Sequence, residues 1–169
     1  MVTLLLIILT FFVITLFGHV THWFIHQPMS GRFNKAHMTH HLKLYPASNY
    51  TSEKYRQPGK DSTVWIFAIL SIPMMLLPWI AFGLGFVTLI QTIIVFTEML
   101  VLGAAHDHIH DAFHIKGHWL YKFRPFRSWN ILHYRHHVNM KKNFGIFFFM
   151  WDRVFKTLST GAKWCFGWD

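Results

Sequence analysis

Fourteen of the 169 residues are histidine, and ten of them fall into four clusters. In chain order these are His22 and His26, then His37, His40 and His41, then His110 and His114, and finally His133, His136 and His137. The spacing reads HxxxH, HxxHH, HxxxH, HxxHH, a motif that recurs. On a helix, positions i, i+3 and i+4 share one face, so each cluster directs two or three imidazoles to one place. Histidine is the commonest metal ligand and is costly to bury without a partner. Ten ring nitrogens are enough for two metal ions with coordination positions left open. Ligand type alone admits Zn, Cu, Fe or Ni. A structural zinc needs only four ligands, so ten, with almost no carboxylates, point to two redox-competent metals, although zinc can occupy such sites in purified samples. One HxxxH pair would be a weak signal, since histidine is also an ordinary interfacial residue. Four clusters at the ends of apolar stretches are a much stronger one.

Other residues could support such a centre. Asp107, Asp111 and Asp152 are candidates to accept hydrogen bonds from the second ring nitrogen of ligand histidines, orienting them and raising their basicity. Each is otherwise a solvated acid, and Asp152 has Arg153 beside it. His106 lies one helical turn before His110 and could supplement a ligand. His108 points away from that face, and His19 and His118 read as interfacial. Glu98, inside an apolar stretch, is a costly charge and a candidate site in its own right, unless protonated or hydrogen-bonded to Gln91 or Thr97. The run Pro73-Met74-Met75-Leu76 reads as lipid-facing packing.

The elements that must position these residues are apolar. Hydrophobic residues make up 53% of the chain and charged ones 14%, against about a quarter charged in soluble domains, which is a membrane composition. Val2 to Gly18 lacks the basic start and small-residue cleavage site of a signal peptide. The pattern continues as helix through His19, His22, Trp23 and His26 to Pro28 and Gly31. Residues 30–62 are polar and basic, with turn signals at Pro46, Asn49 and Pro58-Gly59 and a helix cap at Asp61-Ser62-Thr63. Val64–Phe82 and Phe86–Ala105 read as a transmembrane hairpin turning near Gly83 and Gly85, with Pro73 and Pro78 tolerated inside it.

The net charge of +9 fits anionic lipid headgroups. Nucleic acid is not an expected partner, because the apolar runs leave no continuous polar surface for a duplex. Basic residues concentrate in the first loop and the C-terminal third, which the positive-inside rule places on the cytoplasmic side. All four clusters then share one side, as does the Asn49-Tyr50-Thr51 sequon, so no glycosylation is expected. The lone Cys165 excludes an intramolecular disulfide and a cysteine-based cluster. The expected fold is all-α: a single domain over 1–169, a polytopic membrane helical bundle of about three or four spans, capped by a cytosolic helical di-metal region.

The ordered clusters resemble those of the fatty-acid hydroxylase, sterol desaturase and carotenoid hydroxylase superfamily. The segment His106–His114, HDHIHDAFH, is similar to that family's third box. Asn143–Thr157, with Trp151-Asp152-Arg153, is similar to the tail after the last box. The resemblance implies that His22, His26, His37, His40, His41, His110, His114, His133, His136 and His137 ligate two Fe ions, with O2 as co-substrate. It implies hydroxylation or desaturation of a membrane lipid, whether fatty acyl chain, sterol or carotenoid. Electrons would come from a separate donor, cytochrome b5- or ferredoxin-like with its reductase. The location would be integral and multi-pass, in a bacterial inner membrane or the endoplasmic reticulum.

The chain departs from the pattern where His106-Asp107 stands for a frequent Tyr-Asp, and where Ile115 follows His114 in place of a second histidine. No cytochrome b5-like domain is expected in it. These departures bear on the substrate more than on the metals. The compact form resembles hydroxylases more than desaturases. The rival classes are a non-redox metal carrier or sensor, a bis-histidine haem protein, and a family member with non-redox chemistry. Ligands spread over several helices argue against the carrier, and histidines crowded at the interface argue against haem.

Overall fold

The computed structural model describes residues 2–56 and 63–161, apart from the side chains of 63–66. The turn at Pro58-Gly59, the caps Asp61 and Ser62, and Cys165 lie outside the described residues. Helix α1 (Val2–Ile25) ends one residue short of His26, just before Pro28 opens a single 3-10 turn, Pro28–Ser30. Gly31, at φ +60°, then takes a left-handed conformation that costs glycine little. Helix α2 (Arg32–Thr39) runs directly into a π-helical turn, His40–Leu44, closed by the Tyr45 N–H donating to the His40 carbonyl at 2.8 Å.

Helix α3 (Thr63–Gly83) and helix α4 (Leu89–Phe113) form the hairpin. The turn between them closes with a reciprocal cap: Gln91 N–H donates to Thr88 Oγ1 and Thr88 N–H to Gln91 Oε1. That cap starts α4 at Leu89 rather than Phe86. With no proline near Ala105, and with Gly103 held in the helix, α4 continues past His110 to Phe113, and His114 caps its end. Helix α5 (Arg124–Val138), with Pro125 in its first turn, carries the fourth cluster, and a short α6 (Met150–Val154) follows.

Helix α4 is central, packed on α1 and on α3, while α6 lies against α1. No strand forms among the described residues; Ser52 and Ile115 make one isolated bridge. Helices α1 and α4 are long and apolar enough to cross a membrane, and α3 carries a shorter apolar stretch, Phe67–Gly83. Their outer faces expose Leu5, Leu9 and Val13, Ile72, Leu76 and Ile80, and Ile90, Ile93 and Leu100. A core of Tyr50, Ala112, Phe113, Phe126 and Ile146 packs around the C-terminal end of α4.

Candidate metal centre

The histidine clusters converge into two groups that could each hold a metal ion. His22, His26, His37, His41 and His136 form one; His40, His114, His133 and His137 form the other. Within a group, one ligand nitrogen from each residue lies within 4.8 Å of all the others. Apart from the half-buried His26, none of these rings is more than 5% exposed.

The clusters do not divide by chain order. His22 from α1, His26 just past its end, His37 from α2 and His41 from the π-helical turn meet in the first group, joined by His136 from the far cluster. His133 and His137 from α5 meet His114 in the second group, joined by His40 from the near cluster. Each HxxHH motif therefore sends its i and i+4 residues to one group and its i+3 residue to the other. The adjacent rings of the two groups touch, with His41 and His137 centroids 4.1 Å apart.

Backbone carbonyls fix the rings from behind. His22 Nδ1–H donates to Phe144 O at 2.7 Å and His136 Nδ1–H to Lys142 O at 2.7 Å. His137 Nδ1–H donates to Tyr45 O at 2.7 Å and His114 Nδ1–H to Tyr50 O at 2.9 Å. A carbonyl only accepts, so each of these Nδ1 atoms carries the proton and each neutral ring presents a bare Nε2. The 142–145 segment thus holds two rings of the first group, and the 45–50 segment two of the second. The bridge at Ser52, whose N–H donates to His114 O, pins the latter segment.

The donor set fits bound cations. His37 Nε2 lies 3.0, 3.2 and 3.1 Å from Nε2 of His26, His22 and His41, and His26 Nε2 lies 2.9 Å from that of His136. One imidazole proton cannot serve three such contacts. Nitrogens bound about 2.0–2.1 Å from one ion stand about 3.0–3.4 Å apart, which matches. The Nε2 of His137 is buried, stripped of its proton by the Tyr45 bond, and has no hydrogen-bond partner among the described residues. Burial holds the His26 imidazole down to about 4. Burial first, then neighbouring imidazoles, holds His37, His41, His114, His133, His136 and His137 well below the usual histidine range. All are therefore neutral near pH 7, the form that binds a metal.

His110 sits beside the second group and not in it. Its ring packs 4.8 Å from His133 and 4.9 Å from His40, while its Nδ1 faces Asp111 at 3.5 Å. His106 belongs to neither group and packs on Phe67 at 5.0 Å. His108 is exposed and faces His118 at 5.4 Å. Asp107 lines a cavity with His106. Glu98 does not bond to Gln91, whose side chain caps α4; its Oε2 is buried without a hydrogen-bond partner among the described residues.

Asp152 is fully buried but touches no ring of either group. It accepts from Phe144 N–H and Gly145 N–H, both at 2.8 Å, and from Thr157 Oγ1–H at 2.7 Å, and it faces His19 Nδ1 at 3.6 Å. It does not pair with Arg153. His19 is consequently no interfacial residue: it is buried and stacks on Phe155 at 5.2 Å. Sequence reasoning also missed Tyr45, whose carbonyl fixes His137 and whose ring stacks on His114 at 4.1 Å. Its hydroxyl accepts the Arg56 N–H.

A cavity of about 390 Å³ runs between α1, α3, α4 and residues 144–148. It is walled by Gly18, Met74, Met99, Gly103 and Phe147 among others, with His19, His106 and Asp107 as its ionisable lining. Phe144 and Phe67 stand between it and the first group. Phe144 packs 5.6–5.7 Å from His22, His26 and His136, and Phe67 6.2 Å from His22.

An all-helical chain with two apolar helices of membrane-crossing length and two adjoining, buried histidine groups defines a class: helical proteins with buried, histidine-rich groups able to bind metal. The chain belongs to the fatty acid hydroxylase family, whose profile matches residues 7–157. That family is one of membrane-associated oxidoreductases, usually iron-dependent. No curated protein and no solved structure matches the chain.

Proposed function

We propose that this chain is an O2-dependent hydroxylase that inserts oxygen into a C–H bond of a membrane lipid, with its helices spanning the bilayer and the histidine centre on the cytoplasmic side. The observation that carries the reading is the juxtaposition of two buried histidine groups with an apolar cavity between the helices, separated by Phe144 and Phe67. When bound, a pair of iron ions supplies the reductive activation of O2. The balance is R–H + O2 + 2 e⁻ + 2 H⁺ giving R–OH + H2O, the electrons coming from a separate redox protein.

The chain's own groups do the rest. His22, His26, His37, His41 and His136 would hold one iron; His40, His114, His133 and His137 the other, with His110 at its edge. The carbonyls of Phe144, Lys142, Tyr45 and Tyr50 hold ring orientation and keep each Nε2 unprotonated. The apolar cavity would receive an alkyl chain and exclude water, with Phe144 and Phe67 limiting how closely a carbon approaches. Burial of eight of the nine grouped rings at 5% exposure or less speaks against a carrier, whose ligands need to exchange.

The test is metal analysis with Mössbauer spectroscopy on iron-replete protein in detergent, followed by lipid profiling under ¹⁸O2. Coupled iron pairs and labelled hydroxylipid support the reading. A dehydrogenated lipid without label would move it to desaturation. A tightly held zinc, with no oxidised lipid, would overturn it.

A further inference from the structure

We propose that residues 118–127 form an interfacial anchor that lies in the headgroup layer of an anionic bilayer, beside the outer face of α4. The inference rests on the reading that α1 and α4 span the membrane.

The segment has two sides. Inward, Phe126 is buried between Phe113 and Tyr121, both at 5.0 Å, and Tyr121 Oη donates to Phe113 O at 3.2 Å. Outward, Trp119 and Phe123 are 56% and 52% exposed. They stand one helical turn apart with ring centroids 5.7 Å from each other, so they present one apolar patch. Lys122, Arg124 and Arg127 are exposed around it.

The shape is built rather than incidental. The His118 side chain accepts the Leu120 N–H, starting the 3-10 turn Trp119–Lys122. The Arg127 guanidinium donates to the carbonyls of Tyr121 and Lys122 at 2.7 and 3.2 Å, holding the turn against α5.

Position and charge select the occupant. The chain leaves α4 at Phe113 and doubles back, so that His118 packs on His108, more than a turn inside the helix end. Trp119 follows at 5.9 Å from His118, and His108 shares a helical face with the exposed Val101 two turns earlier on α4. From residue 112 to residue 151 there are seven Lys and Arg and no Asp or Glu. Amphipathic aromatic rings favour the headgroup level, and adjacent cations add attraction to anionic lipid. A bilayer already surrounding α4 meets this patch without any further partner.

The experiment uses the full chain with Cys165→Ser and single nitroxide labels at Trp119→Cys, Phe123→Cys, Lys141→Cys and Leu9→Cys, reconstituted in phosphatidylcholine vesicles with or without phosphatidylglycerol. Power-saturation EPR compares collisions with oxygen, which favours lipid, and with a nickel chelate, which favours water. In anionic vesicles the oxygen-to-nickel ratio at 119 and 123 is expected severalfold above that at 141. It should fall when phosphatidylglycerol is omitted or when Lys122→Gln and Arg124→Gln are added. Labels at 119 and 123 as wet as 141 in both vesicles would overturn the anchor. So would shielding that appears only on adding an acidic soluble protein, which would assign the patch to a protein partner. A water-exposed label at Leu9 would instead refute the spanning reading, a failure distinct from that of the anchor.

Discussion

Asp152 and His22 act on opposite ends of a single peptide group. The Gly145 N–H donates to the Asp152 carboxylate at 2.8 Å, and the Phe144 carbonyl of that same peptide accepts the His22 Nδ1–H at 2.7 Å. A carboxylate polarises the peptide, and the peptide in turn draws on the imidazole proton, so His22 becomes a stronger donor at Nε2. The acid tunes a ring it does not touch.

Replacing that acid should weaken metal binding without unfolding the chain. In Asp152→Asn one carboxylate oxygen becomes an NH2 that faces a backbone N–H. Metal affinity should fall about 10–100-fold, the usual effect of losing a group behind a ligand. Chelator competition measures the loss, and a circular dichroism melt confirms that the helices persist. Unchanged affinity would show that the peptide transmits nothing.

Gly145 is needed for space. A Cβ there would lie 2.7 Å from Phe148 O and 2.9 Å from Asp152 Oδ2, so both must shift. Gly145→Ala should cost about 1–3 kcal/mol, as overpacking does, read as a lower melting temperature. A melting temperature at or above that of the parent chain would mean the loop yields freely.

The middle histidines should have exchanged effects. His136→Ala, in the last cluster, should remove the metal held chiefly by His22, His26, His37 and His41. His40→Ala, in an early cluster, should remove the metal held chiefly by His114, His133 and His137. Iron content should fall in each, with the residual Mössbauer site differing between the two. Identical residual sites would rule out the exchange.

Acid should destabilise the metal-free protein. The His26 imidazole is lowered to about 4, and His37, His41, His114, His133, His136 and His137 shift the same way. Below about 6.5 the unfolded chain takes up protons that the folded chain refuses. Stability present above about 6.5 is therefore lost as pH falls towards 4, by up to about 1.4 kcal/mol per pH unit for each such histidine. Denaturation midpoints at pH 7.5 and 5 check this. Equal midpoints would contradict the burial of these rings.

A larger residue at Gly18 should alter substrate choice alone. Gly18 lines the cavity, and a Cβ there meets nothing within 4 Å. Gly18→Leu should leave iron content unchanged while products from long-chain lipids fall more than those from short ones. Lipid profiling beside an iron assay separates the two, and a uniform loss would remove the cavity from the substrate path.

The clusters and their helices could be read from the sequence because i, i+4 spacing has only one meaning on a helix. The stop at Pro28 and Gly31 was equally plain. What the spacing could not reveal is which cluster's middle histidine crosses to the other group, since that depends on how α2 and α5 face each other. Nor could it find the carbonyls of Tyr45, Tyr50, Lys142 and Phe144, because every residue has a carbonyl. Asp152 stands out in the sequence as a candidate supporting acid, but its contacts run to a backbone unit rather than to a ring and could not be traced from side-chain chemistry. His19 read as interfacial because its burial depends on α6 folding back from the far end of the chain.

The crossing of His40 and His136 has a consequence for synthesis. Neither histidine group is complete until α5 has left the ribosome, since each requires a residue beyond 130. A nascent chain holding only α1 and α2 can offer at most four of the five rings of one group and one ring of the other. The centre therefore closes only when these two distant stretches of the chain meet, because each group takes one ring from the cluster that supplies most of the other.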